Sequence, residues 1–161
     1  MIDLEPISVL RMGVDEWNAW RRKIRDRLLG AQRSSCERKL DGLFDTLTTT
    51  AFPVNDTLSG VEAQGWKLDG IDFSGMDLRG ADFESCKLRG ARFQKAILRG
   101  VNFRYANLAE ANFQGADLSD SDFTGADLFS ADFRGAVLST SELANATLTS
   151  AVFSVGACRV V

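Results

Sequence analysis

A β-rich solenoid that turns once every five residues is the fold class this sequence predicts. Three observations predict it. From Trp66 to Val155 the chain divides into eighteen blocks of five without insertion or deletion. Every block carries Leu or Phe at its centre, as in Trp66-Lys-Leu68-Asp-Gly70 and Ile71-Asp-Phe73-Ser-Gly75. The commonest residue at the fifth place is Gly, for example Gly80, Gly90, Gly100 and Gly115.

A period of five suits neither ordinary element. On an α-helix five residues advance about 500°, so successive centres share no stripe. In a flat strand an odd spacing sends each centre to the opposite face. The chain must turn once per block to keep every centre inward. Gly at the fifth place tolerates the positive φ that a tight turn can need. Elsewhere that place holds residues such as Tyr105, Glu110, Thr140 and Val155. A different turn type is expected there, because β-branched Thr140 and Val155 resist positive φ.

The blocks Ala106-Asn-Leu-Ala-Glu, Ala116-Asp-Leu-Ser-Asp and Ala126-Asp-Leu-Phe-Ser resemble the pentapeptide-repeat family. The resemblance covers residues 66–155, somewhat over half the chain. It implies a mainly β protein, a right-handed four-sided β-helix with four blocks per coil. In such a solenoid the centre and the small residue two before it fill the interior, and the other three face solvent. One feature goes beyond that pattern: from Leu68 to Leu138 the centres alternate strictly between Leu and Phe. With four sides, like then stacks on like at about 4.8 Å, Phe on two opposite sides and Leu on the other two. The alternation breaks at Leu143.

Residues 1–65 follow other rules. Asp15 can cap a helix whose apolar positions run Trp17, Trp20, Ile24 and Leu28, with Leu29 beside the stripe. A second helix is expected from Ser34 to about Thr48, with Leu40, Leu43, Phe44 and Leu47 as its stripe. Both are too short to stand alone and need packing partners. Trp66, Ile71 and Met76 are large where the repeat wants a small residue, which suits a first coil shaped to meet a short N-terminal α-helical cap. Phe52 to Gly60 reads as a linker or an imperfect lead-in strand. The expected organisation is a helical cap and lead-in over 1–60, the repeat β-helix over 61–157 and a tail over 158–161.

No apolar run approaches the roughly 18–20 residues of a membrane-spanning helix. The start Met1-Ile-Asp-Leu-Glu lacks the basic and apolar segments of a secretory signal, so a bacterial cytoplasmic protein is expected. Secretion as an effector without a cleaved signal would leave no mark. Cys36, Cys86 and Cys158 are odd in number and widely spaced, which argues against a disulfide framework or a four-ligand zinc site. Cys86 falls at an inward position and reads as a buried thiol.

Catalysis finds little footing. The chain has no His, and so lacks the commonest general base and metal ligand. The glycines are corner residues rather than a phosphate loop. Ser and Thr are read as outward, with no base at hand. No enzyme activity and no cofactor or metal is expected.

Charge is more informative. Net charge is −3. Residues 66–104 hold eight basic and five acidic residues, and 105–161 hold two basic and seven acidic. The rod is therefore basic in its early coils and acidic in its later ones. The family includes quinolone-resistance proteins that resemble DNA and act on DNA gyrase, so a DNA-mimicking protein that modulates or protects gyrase or topoisomerase is one reading. This sequence departs from it, because Arg92 interrupts the column of Asp72, Asn112 and Asp132, and Lys67 and Lys87 interrupt the column of Asn107 and Asp127. The leading reading is a non-enzymatic protein-binding scaffold with a contact patch at Tyr105, Ala109 and Phe129. Ile97 and Val137 also point outward, two coils apart. A third reading has the basic helix face, Arg21, Arg22, Lys23, Arg25 and Arg27, bind a membrane or nucleic-acid surface. Segment 1–65 holds nine basic and ten acidic residues, however, and reads better as a solvated face than as a nucleic-acid site.

The final layer, Leu143, Leu148, Phe153 and Val155, is expected to present an apolar end. A twofold contact between two such ends would cover it, and the family's DNA-mimicking members resemble this in pairing through their C-terminal ends. A homodimer joined end to end is therefore expected.

Overall fold

In the computed structural model of the chain, residues 13–22 and 58–154 are described. The chain divides into two units, Met1–Asp56 and Thr57–Val161.

In the first unit, residues 14–22 form helix α1. Gly13, at φ 129°, turns the chain into it, and its carbonyl accepts the Trp17 N–H at 3.0 Å. Asp15 is thus not the cap that the sequence suggests. It lies in the first turn, where its carboxylate still favours the positive end of the helix dipole. Trp17 is fully buried, and its ring lies 5.2 Å from that of Trp20. Ile24, Leu28, Leu29, the second expected helix and most of the basic face lie outside the described residues.

The second unit is a β-helix solenoid whose backbone pairs with itself twenty residues on. Lys67 bridges Lys87, which bridges Asn107, which bridges Asp127, all in parallel. Strands β1 (Asp132–Phe133) and β2 (Val152–Phe153) pair in the same register, Asp132 with Val152 and Phe133 with Phe153. One coil is therefore four blocks. The Leu68 N–H donates to the Lys87 carbonyl, and the Lys87 N–H donates to the Trp66 carbonyl at 2.9 Å. Corner residues join the ladder too, with Gly70 N–H donating to Arg89 at 2.8 Å. Within a block the Ile71 N–H closes the turn on the Leu68 carbonyl at 3.1 Å.

That ladder dictates the corners. Gly70 has φ 69°, and so nearly do Tyr105 at 57°, Glu110 at 63° and Thr140 at 59°. The separate turn type expected at non-glycine corners does not occur at Thr140; Val155 lies outside the described residues. Left-handed backbone costs an ordinary residue about 1–2 kcal/mol. At Tyr105 and Glu110 the corner N–H points along the rod and donates to the next coil, to the Thr124 carbonyl at 3.0 Å and the Phe129 carbonyl at 2.7 Å, and losing such a bond costs about as much. The ladder overrides residue preference.

The Asp or Asn at the second place of each block has a local task. Its Oδ1 accepts the N–H of the residue two ahead, as Asp72 does from Ser74 (3.1 Å), Asn112 from Gln114 (3.0 Å) and Asp122 from Thr124 (2.8 Å). This side-chain turn is what Asn and Asp do better than other residues. Lys87 cannot do it, and the Arg89 N–H donates instead to Asp69 in the coil before, at 2.9 Å.

The frame also runs back beyond Trp66. Leu58 is buried and its N–H donates to Asp77 at 2.9 Å, so Leu58-Ser-Gly60 belongs to a coil. Ala63 then takes a centre where later coils have Phe. In the same coil the inward neighbours Val61, Ile71 and Met76 are large and buried. Bulk has moved from one inward position to the other.

The interior is a hydrocarbon column. Phe93 stacks on Phe113 at 5.0 Å and 4°, and Phe103 on Phe123 at 5.1 Å and 15°. The two Phe columns also meet each other across the interior. Phe113 packs edge-on to Phe123 at 5.9 Å and 87°, and Phe123 to Phe133 at 6.1 Å and 86°. Parallel stacks along the rod and edge-to-face contacts across it are the two geometries the ring quadrupole favours. Burying each ring contributes about 1.5–3 kcal/mol. Ser121 and Ser141 take inward places rather than outward ones, and both hydroxyls donate to the Leu118 carbonyl, at 2.6 and 2.8 Å. Cys86 is buried with its Sγ 2.8 Å from the Ala63 carbonyl, and burial pushes the thiol up to about 11, so it stays protonated and inert. Cys36 and Cys158 lie outside the described residues.

Candidate functional site

With the interior closed, chemistry is left to the outward side chains. The carboxylates there are mostly engaged. Arg79 pairs with Asp77 at 2.7 Å, Arg134 with Asp132 at 2.7 Å, and Arg92 with Asp72 at 3.2 Å. The Arg134 guanidinium hydrogen-bonded to Asp132 holds its carboxyl well below the usual carboxylate range, and the hydrogen bond from Arg79 lowers the pKa of Asp77. At Asp122 burial pushes upward, but hydrogen bonds from Thr124 and Arg104 outweigh it, and its pKa also ends lowered. These are exposed pairs, each worth little in stability. Among the described residues no three His, Cys, Asp or Glu side chains converge to hold a metal ion.

Of the three residues expected to form a contact patch, two are exposed. Tyr105 is 58% exposed and Phe129 is 44% exposed. Ala109 is buried, at 7%, and is no part of an open surface. It stands in one outward column between Arg89 and Phe129, a coil away on either side. Tyr105 stands at a corner of the rod and Phe129 at an outward place of a later coil.

Tyr105 is seated. A Cβ placed on Gly125, the same corner one coil later, would lie 2.6 Å from its Cδ1. Arg104 holds its guanidinium carbon over the ring, 5.7 Å from its centre, while pairing with Asp122 at 3.3 Å. A ring held against backbone and under a guanidinium loses little freedom when something binds it. Ile97 and Val137 are exposed as expected.

At the far end, Leu148 is 37% and Phe153 36% exposed, and Leu143 is half-buried. Val152 beside them is exposed as well, and was not foreseen. Val155 lies outside the described residues.

A further feature escaped the sequence reading. On the side centred on Phe83, Phe103 and Phe123, the second-place residues Glu62, Asp82, Asn102, Asp122 and Glu142 bridge one another in turn, with no cation between them. With Glu84 and Arg104 this side has five carboxylates and one guanidinium. The other three sides, over 58–154, hold eight carboxylates and eight cations. The whole net negative charge of the described repeats therefore sits on one side. Reading every twentieth residue from Glu62 finds it.

The sequence pattern of the pentapeptide repeats matches in eight copies, over residues 58–94, 67–104, 86–125, 96–135 and 126–154. The chain belongs to the pentapeptide-repeat family. Comparison with curated proteins finds no match. Among solved structures, it is similar to the pentapeptide-repeat protein Rfr23 of the cyanobacterium Cyanothece 51142, at 23% identity over 61% of this chain and 84% of that one, with a TM-score of 0.34. It is similar to HetL of Nostoc sp. strain PCC 7120, a protein involved in heterocyst differentiation regulation, at 30% identity and a TM-score of 0.32. That match covers 60% of this chain and about half, 48%, of HetL. Full-length QnrB1, a plasmid-mediated fluoroquinolone resistance protein, matches at 16% identity over 61% of this chain and 93% of its own, with a TM-score of 0.24. Among the described residues no helix is long and apolar enough to cross a membrane.

Proposed function

We propose that the chain is a non-catalytic, cytoplasmic scaffold that binds another protein along the outside of its rod. The observation that supports this most is Tyr105, exposed yet seated on Gly125 beneath Arg104. Tyr and Arg are the residues most often found at the energetic centre of protein contacts. Phe129, exposed as well, is the second contact in this reading. Replacing both with Ser removes the contacts and leaves the core untouched. The double variant, immobilised beside the wild type and exposed to lysate of the host, should lose at least one protein that the wild type retains, with its melting temperature lowered only slightly. Identical retention by the two rods would overturn the assignment of these residues.

The acidic side favours a second reading, in which the rod imitates the charge of DNA toward gyrase or topoisomerase. Its row of side chains repeats at about 4.8 Å on one side only, with Asn102 in place of a carboxylate at its middle, and is sparser in charge than the phosphates of a duplex. Supercoiling by gyrase in the presence of the protein separates the two readings. Inhibition or protection that disappears in the triple variant D82N/D122N/E142Q supports mimicry, and no effect at any concentration removes it.

In either reading we propose a homodimer joined through the C-terminal coil, where Leu148 and Phe153 lie open.

A further inference from the structure

We draw no further inference here: the strongest candidate, the acidic side of the rod carrying Glu62, Asp82, Asp122 and Glu142, is a row of carboxylates to which no second feature of the structure ties a ligand.

Discussion

The ring of Tyr105 occupies the space that any side chain at Gly125 would need, one coil further along the same corner. Both residues have left-handed backbone, φ 57° and 70°. Gly135, at φ 69°, has the same backbone but nothing nearer than 3.8 Å to an added Cβ. The pair makes a controlled comparison. Gly135→Ala should cost only the left-handed strain, about 1 kcal/mol. Gly125→Ala should cost more, because it must also unseat the ring. Adding Tyr105→Ser should bring the cost at Gly125 back to that at Gly135. Urea unfolding of the wild type, the three single variants and the Gly125→Ala/Tyr105→Ser pair checks it, and equal costs at the two glycines would mean that the ring is not seated there.

The Phe lattice sets the second expectation. Phe103 stacks on Phe83 and Phe123, at 5.5 and 5.1 Å, and meets Phe93 and Phe113 edge-on at 5.7 and 6.0 Å. Phe103→Ala removes four ring contacts at once and should cost about 3–5 kcal/mol. Leu148→Ala, in the last described coil and already 37% exposed, should cost clearly less. Equal losses would argue against a rod whose layers support one another from both sides.

How much of this was legible depended on the stride at which the residues act. Leu or Phe at each centre repeats every five residues, so each block announces itself, and the Leu/Phe alternation tells which ring stacks on which. The contacts across the interior, such as Phe113 on Phe123, depend on the width of the rod, which no periodicity states. Thr140 misled because its own preference is local, whereas its corner repeats that of Asp120 one coil earlier, whose N–H donates to the Ser139 carbonyl beside it. Ala109 misled too, since it is buried at a place the repeat turns outward, which its own block does not foretell. The acidic side was in plain view at a stride of twenty, but Arg92, Lys67 and Lys87 drew the eye to columns that are interrupted. Ala63, a small residue at a centre, hid the coil that begins at Leu58.

Asp132 gives a pH dependence. Its carboxylate accepts from the Arg134 backbone N–H at 3.0 Å and from the Arg134 guanidinium, which lowers its pKa in the folded protein. A carboxylate with a depressed folded pKa contributes stability above its unfolded value, here 3.8, and that contribution is lost as pH falls toward the folded value. Asp132→Asn keeps an Oδ1 for the turn but has no charge for Arg134. The variant should therefore melt below the wild type at neutral pH, and the gap should close as pH drops through and below about 4. Melting curves of both proteins between neutral pH and acid check it. A gap that stays constant with pH would assign the difference to packing rather than to the carboxylate.

The last prediction concerns the open coil. Between Gly135 and Ser154 the only charged residue is Glu142, while Leu148, Val152 and Phe153 stand exposed. Phe153 stacks on Phe133 at 5.0 Å and 4°, so one face of its ring continues the core while more than a third of the residue meets water. Apolar surface without charge is what a contact between copies needs at its centre. The patch is small, on the order of a few hundred Å², well under the roughly 800 Å² that each partner buries in a standard contact. A dimer closed by this surface should therefore be weak and dependent on concentration. Light scattering after size exclusion should find the wild type partly dimeric at tens of micromolar, with the fraction falling on dilution. Phe153→Asp puts a carboxylate into the centre of the contact and should leave only monomer. Its melting temperature should drop modestly, because the ring supports the core from one side only. A wild type that stays monomeric at that concentration would refute the dimer. A dimer that survives Phe153→Asp must be joined through another part of the chain.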